Sequence, residues 1–123
     1  MEWLDGDTSS RLQPRSVRLV DLGEVDEVPF AFTDGAALPD GSWVFSAVAE
    51  ARDDSYNDGP SLGCAIGVCG SDDKLKILRR MKPARKVEGI EASVVGSTLH
   101  LHMVTDADDP SEAAEFGTAQ MAL

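Results

Sequence analysis

Hydrophobic residues alternate with polar or small residues in short runs along most of the chain, and no run keeps an apolar period of about 3.6 residues. Such alternation predicts strands, and turn residues separate the runs. Pro39, Asp40 and Gly41 lie directly before the run WVFSAVAE at 43–50, and this combination is typical of a tight turn between two strands. The pattern therefore predicts an all-β fold with little helix.

The predicted strands and loops are distributed over most of the sequence. Polar loops are expected at 23–32, where Pro29 is unsuited to a central strand, at 51–63 and at 107–115. Strands are expected at 16–22, on either side of the 39–41 turn, and at 64–70, 74–81, 86–95, 98–106 and 116–123. Residues 1–15 are polar and aperiodic, so we expect a flexible N-terminal segment followed by one β domain over 16–123.

The two halves of this domain repeat one pattern. Asp34-Gly35 matches Glu88-Gly89, and Gly41-Ser42 matches Gly96-Ser97. In each half an acid-glycine pair opens a strand, and a turn, a second strand and an Asp-rich loop follow. A period near 50 residues with short strands is typical of propeller blades. The sequence thus predicts two antiparallel, blade-like sheet units of three to four strands, at about 30–82 and 83–123.

Two stretches resemble known proteins. KVEGIEA followed by HMVTDADDP resembles a pattern of phytase-like and related bacterial β-propellers. FTDGAALPDGSWVFSAVAE with DDSYNDGP resembles an uncharacterised bacterial family of predicted propellers in that group, and the resemblance covers roughly 17–123. It implies that the acid opening each inner strand faces a central channel and that acids there hold calcium. Carried over, the implied metal ligands are Asp34, Glu88, Asp106 and Asp108.

The length of the chain departs from that group, because a closed propeller needs at least about four blades and this sequence supplies about two. Three interpretations stay open: a piece of a longer protein, an assembly of several copies that completes the ring, or an open domain of two sheets. Two blades leave unpaired strand edges and uncovered sheet faces. We therefore expect self-association and an oligomer.

The net charge, the N-terminal sequence and the two cysteines limit the classes of partner, the cellular location and the disulfide bonding that can be expected. Twenty-two acidic and eleven basic residues give a net charge of −11, which argues against nucleic acid or an anionic membrane surface and favours cations. The N-terminus lacks the pattern of a signal peptide, and no apolar stretch is long enough for a membrane span, so a cytoplasmic location is expected. Cys64 and Cys69 are five residues apart in one predicted strand, hence on opposite faces, and no disulfide is expected between them.

Acidic side chains are the main candidates for chemistry. Calcium takes about six to eight oxygen ligands, yet Asp and Asn in loops also bond their own backbone. For Asp34 and Glu88 the alternative to metal binding is acceptance of backbone N–H bonds. The loop at 51–63 offers further oxygens, and Tyr56 and Asp58 within it are the candidate ligand-binding residues; its oxygen-bearing side chains are Asp53, Asp54, Asn57 and Asp58.

Metal binding by histidine and hydrolysis by a nucleophilic serine receive less support from the sequence. His100 and His102 share one face of a predicted strand, as half of a zinc or iron site or as ordinary surface histidines. The sequence contains no Gly-x-Ser-x-Gly motif. Two function classes remain: a propeller-type binding module, with a calcium-dependent acidic site or none, and a metal-dependent phosphoester or ester hydrolase of the phytase-like type. Most basic residues fall between 74 and 86, on a predicted outer strand away from the acids, which favours the binding module.

Overall fold

The computed structural model describes residues 12–50, 61–105, 111 and 113–123. Over these residues the fold is all-β, without helix, in three antiparallel sheets, as the alternation predicted. Among the same residues, no helix is long and apolar enough to cross a membrane. The strands are β1 (Glu24–Val25), β2 (Val28–Pro29), β3 (Ala31–Ala37), β4 (Trp43–Glu50), β5 (Ser61–Cys69), β6 (Leu75–Arg80), β7 (Val87–Val95), β8 (Thr98–Thr105) and β9 (Phe116–Ala122).

Each of the larger sheets joins strands that are neighbours in sequence. The four-stranded sheet has the order β3-β4-β5-β6, and the three-stranded sheet has the order β7-β8-β9. The turn before β4 forms because Gly41 adopts a φ of 88°, its N–H donates to the Leu38 carbonyl at 3.1 Å, and Asp40 accepts from the Ser42 N–H at 3.0 Å. The corresponding turn between β7 and β8 contains only Gly96 and Ser97, with Gly96 at a φ of 62°.

The two larger sheets pack face to face around one apolar cluster, which we call the inter-sheet core. Strands β4 and β5 contribute one side, and β7 and β8 contribute the other. Its buried members are Leu38, Val44, Val48, Cys64, Ile66, Val68, Val87, Leu99, Leu101 and Met103. Cys69 belongs to a separate cluster on the opposite face of the four-stranded sheet, so the prediction that Cys64 and Cys69 point to opposite faces is confirmed.

The second cluster forms where the chain before β3 covers the outer face of the four-stranded sheet. Leu22 and Phe30 belong there to one buried cluster with Phe45, which is fully buried. Between them β1 and β2 form a hairpin, and its two turn residues, Asp26 and Glu27, both have positive φ. The prediction of a simple loop at 23–32 was therefore wrong, although Pro29 does lie in a short edge strand.

The predicted strand at 16–22 was also wrong. These residues are described, but they form no strand, because no described strand pairs with them. Leu22 instead packs sideways onto the sheet face, while Val17 and Leu19 are 78% and 99% exposed. The other predicted strands are confirmed, and β7, β8 and β9 begin and end within one residue of the expected bounds. Of the predicted flexible segment 1–15, residues 1–11 lie outside the described residues.

Candidate functional site

One edge of the stacked sheets brings charged side chains from several parts of the chain close together. β4 and β8 end there, and β7 begins there, because Val87 pairs with Thr105 and the residue before it, Lys86, lies beside Glu50. The chain leaves this edge into the segments 51–60 and 106–110. We call it the loop rim and define it by Glu50, Arg85, Lys86, Glu88 and Glu115.

Lys86 lies between two carboxylates at the loop rim. Its Nζ is 3.3 Å from Glu50 Oε2 and 3.9 Å from Glu88 Oε1. The Lys86 and Glu50 side chains are only 13% and 20% exposed, whereas Glu88 is 39% exposed. Glu50 Oε2 is buried without a well-aligned hydrogen bond. The positive charge of Lys86 therefore offsets the free-energy cost of removing this carboxylate from water. The expectation that basic residues lie away from the acids is therefore wrong for Lys86.

The position of Glu88 follows from an irregularity in β7. The register with β8 shifts between Val87 and Gly89, which makes Glu88 the extra residue of a β-bulge. β3 has a similar shift between Phe32 and Asp34, and its extra residue is Thr33, whose hydroxyl lies 2.7 Å from that of Ser46. When β3 and β7 are aligned by their bulges, Glu88 corresponds to Thr33. The sequence repeat instead aligned Glu88 with Asp34, which is one residue later.

Asp34 connects the two large sheets. Its Oδ2 accepts a hydrogen bond from the Ile90 backbone N–H at 2.8 Å. β7 is an edge strand of its sheet, and Ile90 is two residues beyond Glu88 along it. Acceptance of a backbone N–H, the alternative to metal binding, is therefore confirmed for Asp34. Because one of its oxygens is used in this way, Asp34 holds β3 beside β7.

A second ion pair lies at the outer part of the loop rim. Arg85 Nε is 3.1 Å from Glu115 Oε1, and the Glu115 backbone N–H donates to the Thr105 hydroxyl at 3.1 Å. Beneath this pair lies a cavity of about 140 Å³, lined mainly by apolar side chains, among them Met81 and Met103. Both rim cations, Arg85 and Lys86, thus have carboxylate partners.

A buried thiol lies below the loop rim. Cys64 belongs to the inter-sheet core, and burial raises the pKa of its thiol, an effect that backbone hydrogen bonds from Val87 and Arg85 only partly offset. Burial, and then the negative charge of Asp73, raise the pKa of Cys69 as well. Both residues are therefore protonated near neutral pH and are poor nucleophiles.

The remaining predicted site residues are not brought together by the described part of the chain. Asp106, Asp108, Tyr56 and Asp58 lie outside the described residues, as do Asp53, Asp54, Asn57 and Asp109. His100 and His102 lie on the uncovered face of the three-stranded sheet, and the His102 ring is 5.8 Å from that of Phe116. Within the described ranges, no three His, Cys, Asp or Glu side chains are grouped so that they could hold a metal ion.

Comparison with known proteins places the chain in a sequence family. The sequence model of DUF6910, a family of unknown function, matches residues 1–110. The chain belongs to this family. The DUF6910 match includes β1 to β8 and most of the loop rim, while Glu115 and β9 lie beyond it. Neither a curated protein nor a solved structure matches the chain.

Proposed function

We propose that this DUF6910 protein is a non-catalytic binding module of the β-propeller type and that the loop rim is its ligand-binding surface. The observation that carries the proposal is the hydrogen bond from the Ile90 N–H to Asp34, which fixes the first strands of two similar sheets side by side. In propellers, successive blades stack face to face with their first strands innermost. β3-β4-β5 and β7-β8-β9 have the same order of strands, which supports this interpretation.

The loop rim is the best candidate for the ligand surface because the long connections β4–β5 and β8–β9 both begin there. Loops on a rigid sheet scaffold commonly carry binding residues. Tyr56 and Asp58 belong to the first connection, and Asp106 and Asp108 to the second. With a net charge of −11, the protein attracts cations, so we propose a metal ion or a small cationic molecule as the ligand.

A metal-dependent hydrolase of the phytase-like type has less support. Such an enzyme needs a cationic side chain that faces the phosphate or the developing negative charge. At the loop rim, Lys86 contacts Glu50 and Glu88, and Arg85 contacts Glu115. A phosphate would compete with these carboxylates for both cations. This pairing is the reason that we favour binding over catalysis.

Calcium at the loop rim stays a prediction. The described side chains alone do not fit a calcium site, because Asp34 already accepts the Ile90 N–H, Glu88 faces Lys86, and calcium requires about six or more oxygens. Further oxygens would come from the connections after β4 and β8 or from water, and Asp106 directly follows Thr105, which pairs with Val87 beside Glu88. We therefore propose that calcium, when bound, contacts Glu88 together with Asp106 rather than Asp34.

The test compares melting curves in chelator and in millimolar calcium for the parent, Glu88→Gln and Asp106→Asn. Calcium that binds only the native state stabilises it by about 2.7 kcal/mol at a hundredfold excess over the dissociation constant. We expect a higher Tm in the parent and a smaller rise in both variants. Asp72→Asn is the control, because Asp72 bonds to Lys74 and Lys76 in the turn at the opposite end of the sheet.

Two results would contradict parts of this proposal. An unchanged parent Tm would remove calcium as the ligand and leave Glu88 as an ion-pair partner of Lys86. Hydrolysis of para-nitrophenyl phosphate by the parent, abolished in Lys86→Met, would show that the rim is catalytic. Titration with calcium or with a small organic cation, followed by NMR, should shift signals at the loop rim and not at the turn that contains Asp72.

A further inference from the structure

The three-stranded sheet lacks a counterpart of β6. β3, β4 and β5 correspond to β7, β8 and β9, but in the described part of the chain no strand pairs with the outer edge of β9. Thr105 N–H donates to the Glu115 carbonyl, and Leu123 N–H donates to the Ser97 carbonyl. Since bonding direction alternates along an antiparallel strand, the backbone groups of Thr118 and Gln120 point to the open edge.

The missing strand also leaves apolar surface partly uncovered. On β5, Ile66 and Val68 are each 5% exposed, whereas Ile77 on the neighbouring β6 is only partly buried against the same core. Ala119 and Met121 on β9 are also partly buried there. The cavity lined by Met81, Met103 and Gly117 lies between these two margins. A further strand beside β9 would cover this surface.

Residues 16–20 have the properties of such a strand. The sequence SVRLV alternates, and alternation places Val17 and Leu19 on one face. In the structure these side chains are 78% and 99% exposed, although the pattern predicts a strand. The sequence pattern predicts a strand at 16–20, but the structure shows none there. Pairing of this segment with the β9 edge of another molecule would resolve the difference.

The position of this segment indicates a second copy. Leu22 and Phe30 hold the chain to the outer face of the four-stranded sheet, and the three-stranded sheet packs on the opposite face. Arg18 lies 3.9 Å from Asp73, in the turn after β5. Residues 18–22 of each copy therefore lie on the side of the molecule that faces away from its own β9. Arg15 and Arg18 also bring positive charge toward a partner whose net charge is −11.

We propose that copies of this chain associate head to tail, with residues 16–20 of one copy adding as a fourth strand to the open edge of β9 in the next. Backbone hydrogen bonds to Thr118 and Gln120 would supply affinity, and Val17 and Leu19 would cover the surface around Ile77. A head-to-tail contact produces a closed ring or an open filament according to its rotation. This association depends neither on calcium nor on the loop rim.

The first experiment is sedimentation velocity of the full chain from micromolar to millimolar concentration. The parent should self-associate, and Leu19→Asp and Gln120→Pro should each weaken association at least tenfold. Proline at 120 removes an N–H at the open edge and leaves the bonds to β8 in place. Two controls carry the same new charge at other exposed apolar sites: Leu12→Asp at 78% exposure and Val95→Asp on the uncovered sheet face at 65%.

Mixing the two defective variants gives a sharper test. Each lacks one side of the contact, so neither self-associates, but the intact segment of Gln120→Pro can add to the intact β9 of Leu19→Asp. The mixture should form a dimer of one copy of each and nothing larger. Amide exchange at Thr118 and Gln120 should slow in the associated parent and in the Leu19→Asp copy of the mixed dimer, but not in Leu19→Asp alone. Circular dichroism checks that each variant folds, and Thr118→Pro replaces Gln120→Pro if the latter does not.

Three outcomes would overturn the proposal. One is a parent that is monomeric at every concentration. Another is a loss of association in Leu12→Asp or Val95→Asp equal to that in Leu19→Asp, which would indicate stacking of sheet faces or unspecific contact. The third is a mixture of the two defective variants that stays monomeric.

Discussion

Gly67 lies at the most crowded point of the four-stranded sheet, and its replacement by alanine tests the packing there. Gly67 pairs with Phe45 across β4 and β5, and the Phe45 ring lies over the glycine. An ideal Cβ on residue 67 would be 2.7 Å from Phe45 Cε1, closer still to Cζ, and 2.9 Å from the Ile77 carbonyl oxygen. The added methyl group therefore requires both the ring and the backbone of β6 to move.

The ring has little space to move into. Phe45 is fully buried, and its ring meets that of Phe32 at 4.9 Å in an edge-to-face arrangement and that of Trp43 at 5.6 Å. Overpacking of a core costs about 1–3 kcal/mol. Because two neighbours are affected here and one is backbone, we expect about 3 kcal/mol for Gly67→Ala. For a domain of this size, that lowers Tm by roughly 10 °C.

Urea unfolding measures this loss, and Gly117→Ala is the matched control. No atom lies within 4 Å of a Cβ built on Gly117, which is also in a strand, so we expect no loss and even a gain of about 0.4–1 kcal/mol. Phe45→Leu in the Gly67→Ala background should recover at least about 1 kcal/mol relative to additive effects. A Gly67→Ala protein within about 0.5 kcal/mol of the parent would refute the packing described.

Two further predictions concern the loop rim and the thiols. Lys86→Met keeps the aliphatic stem but leaves Glu50 enclosed without its cation, so we expect a loss of about 2–3 kcal/mol in urea unfolding, less than the roughly 3–5 kcal/mol for a fully buried pair. Glu50→Gln in the same protein should restore most of it, and equal stability of parent and Lys86→Met would contradict the ion pair. Burial raises the pKa of the Cys64 thiol in the native state. The stability that the protonated thiol contributes is therefore complete below the pKa of the unfolded state, about 8.5, and decreases as pH rises above that value. The parent should therefore lose stability above that pH more steeply than Cys64→Val, and Ellman's reagent should modify neither Cys64 nor Cys69 before unfolding.

The strands that sequence reasoning located correctly combine alternation with a turn signal. β4 follows a Pro-Asp-Gly turn, and β7 and β8 flank Gly96. The 16–22 segment was misassigned because alternation specifies a tendency to form a strand but not the edge that pairs with it. The β1–β2 hairpin was missed because Asp26 and Glu27 adopt positive φ without the glycine or asparagine that normally marks such a turn.

The candidate site was predictable only in part. The repeated acid-glycine pairs correctly placed Asp34 and Glu88 on the first strands of two similar sheets. The bulges could not be read from the sequence, because their extra residues, Thr33 and Glu88, leave no compositional mark. The contact between Glu50 and Lys86 joins residues far apart in sequence and had no local signal either. Only the packing of the two sheets brings those side chains together.

The order of strands has a consequence for how the protein folds. Both larger sheets are meanders in which every strand pairs with its neighbour in sequence, so their contacts are local for a β protein. Local contacts close short loops and favour fast folding. Residues 31–80, which contain all four strands of the larger sheet, are made before β7 during synthesis, so this sheet can form first and offer its apolar face as a template for the rest. Synthesis order and strand order thus coincide, and the three-stranded sheet never has to form without a surface to pack on.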